Sequence, residues 1–412
     1  MPSFAPLPAA FNRLAWSNLA AQSAEQVALA AAPIVAVLLL GAGESATSLL
    51  QTALTLPFVL LAIPAGLLAD RVPRRSLMAC AEALRAGALL AILALIALNA
   101  LSMPVLAALG FLSVCGTVAY SVAAPALVPS LVAAQALPRA NARIELARTV
   151  AFAGGPAVGG VLVGFVGAAQ AFGVAALLSI AAVALLGGID EPVRAAVPDR
   201  KPLRDIAEGL RFVAHHPLLR PVFVTQLIFG AAAFMTLAVF VPYAVRHLGL
   251  SATGVGVTLA MYGVGMVVGA LMAPLAMRRL PFGVVVALGP VSGFVASLVM
   301  ALTVWLPSPV LAGLGFILLG LGPIIWVIST TTLRQAVTPP SLLGRVSAIN
   351  ILSYGARPIG TAIGAGVSAL YHAEACLYLA VAGFAWQAIV ILMSPAVTLE
   401  RQPEMVGNTM EA

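Results

Sequence analysis

The chain is 412 residues long, 62% of its residues are hydrophobic, only 8% are charged, and the formal net charge is +7. Soluble globular proteins carry about 25% charged residues, so this composition excludes a water-soluble domain. Apolar runs of about 20 residues, the length that crosses a hydrocarbon core, recur along the chain. Runs this long and continuous predict membrane-spanning helices and not the alternating strands of a barrel.

The apolar runs predict twelve transmembrane helices and therefore an all-α membrane protein. They cover residues 14–40, 46–69, 76–98, 103–133, 144–166, 169–188, 221–245, 251–277, 282–305, 308–333, 346–370 and 374–395. A long polar segment separates the first six from the last six. The predicted domains are an N-terminal six-helix bundle (1–188), a central cytoplasmic linker with a short amphipathic helix (189–220), a C-terminal six-helix bundle (221–395) and a cytoplasmic tail (396–412).

The distribution of basic residues predicts the orientation in the membrane. With a cytoplasmic N-terminus, the arginines near the helix ends lie on the inner side, and only Arg246 lies outside. This asymmetry follows the positive-inside rule and predicts a multi-pass protein of the bacterial inner membrane with both termini cytoplasmic. Basic loops beside anionic membrane lipid explain the positive charge, so no nucleic-acid partner is expected. We expect the protein to act as a monomer.

The first predicted helix carries an acidic residue, Glu25, near its middle. A charge at that depth costs at least about 2.5 kcal/mol on insertion scales. Because burial disfavours the charged form, such an acid can bind and release a proton and couple that step to substrate movement. The alternative is a structural role, in which Glu25 hydrogen-bonds to Gln22, Gln26 or a facing helix. We favour the role in proton coupling.

Arg357 in the eleventh predicted helix directly precedes Pro358 and lies too deep to reach the cytoplasm easily. It can bind an anionic substrate, or hold Glu25 ionised in one state. It can equally stabilise the helix break around Pro358. The sequence leaves these roles open.

The two halves of the chain contain similar glycine–proline elements. Gly154-Gly155-Pro156 in the fifth helix has a counterpart in Arg357-Pro358-Ile359-Gly360 in the eleventh. Internal repeats around a central site are common in secondary transporters, where one bundle rocks against the other. The residues predicted to pack or bend helices are Gly155, Pro156, Gly159, Gly160, Pro358 and Gly360.

The junction of the second and third helices reads Gly66-Leu-Leu-Ala-Asp70-Arg71-Val-Pro-Arg74-Arg75. It resembles the signature G-x-x-x-D-R-x-G-R-R loop of the major facilitator superfamily. Further segments resemble its branch of enterobactin exporters and macrolide efflux proteins: Pro125-Ala-Leu-Val-Pro129, Ala140-Asn141-Ala142, Gly155-Pro156-Ala-Val-Gly159-Gly160, Glu208-Gly-Leu-Arg-Phe-Val-Ala-His-His-Pro217 and Leu343-Gly344-Arg345-Val346. The resemblance covers nearly the whole chain. It implies two pseudo-symmetric bundles and proton-driven export of an amphiphilic small molecule, such as a drug, a siderophore or a related metabolite.

The resemblance also implies a cytoplasmic gate at the signature loop. The Asp70 carboxylate would lie against the positive end of a neighbouring helix, and Gly66 would permit the close approach. The alternative is a solvated basic cluster. Glu145 and Arg148 can pair at i and i+3, as a gate, a structural pair or part of the proton route. The predicted gate residues are Gly66, Asp70, Arg71, Arg74, Arg75, Glu145, Arg148 and Arg345.

The superfamily fold implies that helices one, four, seven and ten face a central cavity. The predicted lining residues are Tyr120, Ser121, Gln226, Phe229, Phe234, Trp326 and Thr330. Aromatic groups with few polar neighbours suit an apolar or amphiphilic solute, although each residue could serve helix packing alone.

Several other functions are disfavoured. No G-x-x-x-x-G-K-[ST] run occurs, so direct use of ATP is not expected. The four histidines lack metal-ligand spacing, and we expect no metal, no other cofactor and no enzymatic activity. The alternatives to an exporter are an importer or facilitator of the same fold, and a membrane sensor that transports nothing.

Overall fold

A computed structural model of the chain describes residues 7–133, 136–191, 202–339, 342, 345, 346, 349 and 353–403. The regular secondary structure of these residues is helical, without strands. The helices are α1 (Ala9–Leu38), α2 (Glu44–Leu60), α3 (Ala62–Arg71), α4 (Arg74–Ala97), α5 (Met103–Leu131), α6 (Leu137–Phe165), α7 (Ala168–Gly187), α8 (Pro202–His215), α9 (Leu219–Arg246), α10 (Ala252–Arg279), α11 (Phe282–Leu302), α12 (Pro309–Val337) and α13 (Ala356–Leu392). Short 3₁₀ turns cover Ser353–Gly355 and Pro395–Thr398.

The described helices account for the twelve predicted spans. Ten helices are long and apolar enough to cross a membrane, and the bent pair α2 and α3 supplies another span. Helix α13 has 37 residues, about 55 Å at 1.5 Å per residue, which is nearly twice the hydrocarbon thickness. Its backbone is non-helical at His372 (φ 69°, ψ 175°), where two helices meet. The predicted eleventh and twelfth spans therefore join at His372, and the all-α twelve-helix prediction is confirmed.

The second span is broken, although the sequence analysis predicted one helix over residues 46–69. Its two parts are bent by 48° relative to each other. Pro64 lacks a backbone N–H, and its ring clashes with the carbonyl four residues earlier, which belongs to Leu60. Because Leu60 is the last residue of α2, the break lies where Pro64 disrupts the helical hydrogen bonds.

The chain forms two compact units. The first unit contains Met1–Ala42, Ala53–Asp199 and Ser251–Val257. Within it, α4 packs on α5 and α7, while α1 packs on α6 and α7. The apolar core of this unit includes Phe11, Leu14 and Met78. These helices bring polar residues from α1, α4, α5 and α7 close together.

The second unit contains Gly43–Thr52, Arg200–Leu250 and Thr258–Ala412. Within it, α9 packs along α13, and α11 contacts both α12 and α13. Trp326 and Leu333 belong to a buried cluster on these helices. The linker helix α8 packs on the same unit through a smaller apolar cluster of Val213, Leu219, Val346 and Ile349.

Candidate transport and proton-coupling site

Glu25 lies on α1 and is 9% exposed. It borders a small cavity in the first unit. The other lining residues come from several helices and are mostly apolar, among them Leu54, Leu89, Ile92, Leu106, Val114 and Phe172. Ser113 and Thr117 of α5 supply the hydroxyl groups of this lining. The role of Glu25 in proton coupling stays a prediction.

A buried ion pair lies in the same unit. Glu82 and Arg85 on α4 are 0% and 1% exposed, and Glu82 Oε1 lies 2.9 Å from Arg85 Nη1. Arg85 Nη1 also donates to the Ala21 carbonyl of α1 at 2.8 Å. Arg85 Nη2 donates to Thr117 Oγ1 at 2.6 Å. The sequence analysis named neither Glu82 nor Arg85 as a site residue. Two charged residues three positions apart inside the predicted span 76–98 could have indicated a buried ion pair.

Tyr120 occupies the interior of the first unit. It is 1% exposed, and its hydroxyl oxygen lies 3.1 Å from Ser17 Oγ. Ser17 in turn donates to the Ala182 carbonyl of α7 at 3.1 Å. The next residue, Ser121, is exposed. Tyr120 thus forms a hydrogen bond between helices of its own unit. The predicted cavity role of Tyr120 and Ser121 stays a prediction.

The N-terminus of α4 holds two of the predicted gate residues, Arg74 and Arg75. The backbone N–H groups of these residues donate to the carboxylate of Glu191, at 3.1 Å to Oε1 and 2.8 Å to Oε2. Their guanidinium groups donate to the carbonyls of Ala126 and Ile189 respectively. Glu191 therefore caps the positive end of α4, an arrangement that stabilises a helix start. Glu191 was not predicted from the sequence.

The other predicted gate residues of this loop are Gly66, Asp70 and Arg71. The Asp70 side chain lies outside the described part of the structure. Arg71 is exposed. Gly66 lies in α3, and a Cβ there would meet none of the described atoms within 4 Å. The described residues make no close approach at Gly66, and its role in the gate stays a prediction.

Three predicted gate residues, Glu145, Arg148 and Arg345, take part in exposed ion pairs. Arg148 pairs with Glu145 across one turn of α6, with side chains 48% and 58% exposed. Arg345 Nη1 lies 2.8 Å from Glu208 Oε1 of the linker helix. Exposed pairs contribute at most about 1 kcal/mol to stability. Both pairs are therefore weak contacts that a conformational change could break.

His216 connects the linker helix to α9. Its Nδ1 accepts hydrogen bonds from the backbone N–H groups of Leu218 (3.2 Å) and Leu219 (3.3 Å). Burial lowers the pKa of His216. The imidazole therefore stays neutral at neutral pH and keeps the lone pair that these bonds require.

In the second unit, aromatic residues predicted to line the cavity pack together. The Phe229 ring centre lies 6.0 Å from that of Trp326 and 5.9 Å from that of Phe384. Trp326 is 2% exposed, and its carbonyl accepts a hydrogen bond from Thr330 Oγ1 at 2.7 Å. Thr330 and Gln226 also border a small cavity. Phe229, Trp326 and Thr330 thus lie together. This arrangement is compatible both with helix packing and with a cavity wall.

Arg357 lies over the ring of Phe234, with its guanidinium carbon 4.8 Å from the ring centre. A cation in this position is attracted to the negative face of the ring. Tyr262 of α10 is also close enough to Arg357 to interact electrostatically. The structure therefore brings a predicted coupling residue and a predicted cavity residue together.

The predicted packing glycines lie at close helix contacts. A Cβ on Gly155 would overlap Gln26 of α1, and one on Gly159 would lie 3.0 Å from the Ala30 Cβ. Gly160 lies against Gly256, in the part of α10 that belongs to the first unit. Gly360 lies against the backbone of Ala231 in α9. At the neighbouring predicted bending positions, Pro156 lies inside α6 and Pro358 is buried near the start of α13.

Comparison with known proteins identifies the family. A family model described as transmembrane secretion effector, of the major facilitator superfamily, matches residues 1–411. The chain belongs to this family. It is a multi-pass major facilitator transporter and not an enzyme, and the resemblance inferred from the signature loop is confirmed.

Curated relatives and a solved structure agree with this assignment. This major facilitator transporter is 30% identical to the multidrug efflux pump Tap of Mycobacterium tuberculosis (strain ATCC 25618 / H37Rv) over 363 residues, covering 84% of each chain. It is 31% identical to the uncharacterized MFS-type transporter y4rN of Sinorhizobium fredii over 256 residues, covering 58% of this chain and 59% of that protein. The crystal structure of the nucleoside transporter NupG superposes with a TM-score of 0.72 at 12% identity, covering 93% of this chain and 97% of NupG. NupG therefore shares the fold.

Proposed function

We propose that this transporter exports an amphiphilic small molecule across the bacterial inner membrane in exchange for protons. Glu25 carries the proposal, because it is a buried carboxylate in the wall of an internal, mostly apolar space. Protonation removes the charge that burial disfavours, so the occupancy of this acid can change when the space opens to water. Alternating access would let Glu25 bind a proton from one side and release it to the other.

The substrate class is proposed from the second unit and from a relative. Phe229 and Phe234 offer partly exposed aromatic surface, with one cation at Arg357. Such a lining suits a solute with a large apolar part and few polar groups. The efflux pump Tap is named for multidrug export, and we extend that substrate class to this chain. Drugs, siderophores and related metabolites all fit it.

In this proposal, residues 1–188 and 221–395 are the bundles that move, and residues 189–220 link them. Both termini and the tail at 396–412 face the cytoplasm, and the monomer in its lipid bilayer is the transporting unit. The loop with Asp70, Arg71, Arg74 and Arg75 acts as the cytoplasmic gate. The capping of α4 by Glu191 supports this role, because it ties the loop to the end of the first bundle.

A flux measurement tests the proposal. We expect purified protein in proteoliposomes with an acidic lumen to accumulate ethidium or another amphiphile from a drug panel, because protons leave as the solute enters. The Glu25→Gln variant is expected to show at least tenfold less gradient-driven accumulation than the wild-type protein. It should still exchange internal for external solute when no pH gradient is imposed. Glu400→Gln, a carboxylate-to-amide change at an exposed position outside the spans, is the matched control.

Two results would contradict the proposal. Glu25→Gln with normal gradient-driven accumulation would remove Glu25 from the mechanism. Solute that moves only toward the cytoplasmic side in vesicles of known orientation would indicate an importer or facilitator.

A further inference from the structure

An open groove of about 650 Å³ lies beside the junction of the linker helix α8 with α9. One wall comes from the end of α8 and the start of α9, and the other from the end of α13 and the 3₁₀ turn after it. All of these segments belong to the second unit. The volume falls within the roughly 300–1,000 Å³ of typical ligand sites. The groove is therefore large enough to hold a substantial part of a small ligand.

The position of the groove favours a ligand from the membrane. Helix α9 begins at Leu219, near the start of the seventh span, and α13 ends at Leu392, near the end of the twelfth. In a protein of twelve spans these two helix ends lie on the same side of the membrane. The ends of spans lie at the level of the lipid headgroups. The groove is thus at the depth where phosphate groups and the first carbons of acyl chains are found.

Most of the groove lining is apolar. Pro221 and Val224 line it on α9, and Val390 and Met393 line it at the end of α13. Met393 is 82% exposed. Covering such apolar surface with hydrocarbon is favourable, because it removes the surface from water. An acyl chain can therefore lie along this wall.

The polar residues of the lining favour an anion. They are His215, His216, Arg220 and Ser394, and none of the described lining residues is acidic. Arg220 is exposed, and the ion pairs among the described residues do not include it. A guanidinium group presents a planar fork of N–H donors that matches the oxygens of a phosphate. An anion can thus bind Arg220 without displacing a described carboxylate.

His216 supplies a second donor. Its Nδ1 accepts hydrogen bonds from the backbone N–H groups of Leu218 and Leu219, so Nδ1 carries no proton. The neutral imidazole then carries its proton on Nε2, which is an N–H donor. The backbone N–H of Arg220 donates to the His216 carbonyl at 3.0 Å, which places the two residues one helical turn apart. Residues at this spacing are neighbours on a helix surface, so Arg220 and His216 are adjacent donors in the lining.

We propose that this groove binds one anionic phospholipid, with its phosphate on Arg220 and His216 and an acyl chain along the apolar wall. Basic pockets at the cytoplasmic ends of membrane helices bind such headgroups in other proteins. A free phosphate ion would use the same donors but would leave the apolar wall uncovered. The inference goes beyond the proposed export, because it requires neither Glu25 nor a transported solute.

Native mass spectrometry of the full chain, released from detergent micelles, tests the proposal. The protein is titrated with dioleoyl phosphatidylglycerol and, separately, with dioleoyl phosphatidylcholine, which has no net charge. We expect the first phosphatidylglycerol to bind more tightly than further copies and more tightly than phosphatidylcholine. Arg220→Gln should weaken this first binding event about tenfold, because a charged donor is lost. Arg401→Gln, which removes an exposed arginine outside the groove lining, should keep the wild-type affinity.

A second variant and a competitor complete the test. Met393→Gln makes the apolar wall polar and leaves both donors in place, so it should weaken the binding of both lipids. Thermal unfolding of the lipid-free variants in detergent should match that of the wild-type protein, which excludes loss of folding. Inorganic phosphate in large excess should not displace the phosphatidylglycerol.

Three results would overturn the lipid site. They are equal affinity for the two lipids, equal losses in Arg220→Gln and Arg401→Gln, and full displacement of the lipid by inorganic phosphate, which would indicate a site for free anions. None of these measurements involves flux. Their failure therefore leaves the proposed export in place, and loss of proton-driven flux in turn leaves the lipid site in place.

Discussion

The hydroxyl group of Tyr120 joins three helices of the first unit. It lies 3.1 Å from Ser17 Oγ on α1, and Ser17 donates to the Ala182 carbonyl on α7. Both side chains are almost inaccessible to solvent. A hydrogen bond between uncharged groups contributes about 0.5–1.5 kcal/mol to stability, and leaving one partner unsatisfied costs more. This short chain of bonds should therefore stabilise the packing of α1, α5 and α7.

We expect Tyr120→Phe to destabilise the folded protein by about 1 kcal/mol. Ser17→Ala should have a similar effect, and the double variant should cost less than the sum because the two residues share one bond. Thermal unfolding in detergent, followed by tryptophan fluorescence, measures all three. Tyr371→Phe, which alters an exposed tyrosine, is the control. Strictly additive effects would show that the two hydroxyl groups do not interact.

Helices α1 and α6 approach each other along a face of small residues. A Cβ on Gly159 would lie 3.0 Å from the Ala30 Cβ and 3.1 Å from the Val27 carbonyl oxygen, and one on Gly155 would overlap Gln26. Small residues at such interfaces allow helix backbones to pack closely in membranes. The adjacent Gly154 differs, because a Cβ there would meet none of the described atoms within 4 Å.

Gly155→Ala should force α1 and α6 apart. Overpacking of this kind typically costs about 1–3 kcal/mol, so the melting temperature and the exchange flux should both fall. Gly154→Ala adds the same methyl group on the neighbouring residue, where it meets open space. Alanine is a better helix former by about 1 kcal/mol, so this control should be neutral or slightly stabilising. Equal responses of the two variants would mean that α1 and α6 do not pack at Gly155.

An even number of spans places both ends of the chain on one side of the membrane. The described helices supply twelve spans once α13 is divided at His372 and α2 is joined with α3. Basic side chains are concentrated near alternate helix ends, with Arg246 as the exception. Arginine and lysine are retained on the cytoplasmic side during insertion. The expected topology is therefore cytoplasmic at both termini.

Reporter fusions test this topology. Green fluorescent protein fused after residue 403 should fluoresce, because it folds in the cytoplasm. Alkaline phosphatase fused after residue 249 or 306 should be active, since these positions follow spans seven and nine on the outer side. Phosphatase fused in the linker near residue 195 should be inactive and is the control. Active phosphatase after residue 403 would show that one span is missing or added.

Much of the fold could be predicted from local sequence. A span depends on whether one continuous run of side chains is more stable in lipid than in water, so hydropathy and charge predicted the helices and drew attention to Glu25. The break before Pro64 was also predictable, because a proline disrupts the hydrogen bond to the carbonyl four residues earlier. The signature loop was sufficient to indicate the family.

The polar contacts of the site depend on the packing of helices that are distant in sequence. Arg85 bonds to groups on α1 and α5. Glu191 caps α4 from 117 residues further along the chain. No periodicity in one segment specifies these partners, because each follows from which helices pack together and how each is rotated about its axis. Lipid selects apolar segments one at a time, whereas a buried charge is stabilised only by the groups that neighbouring helices bring to it.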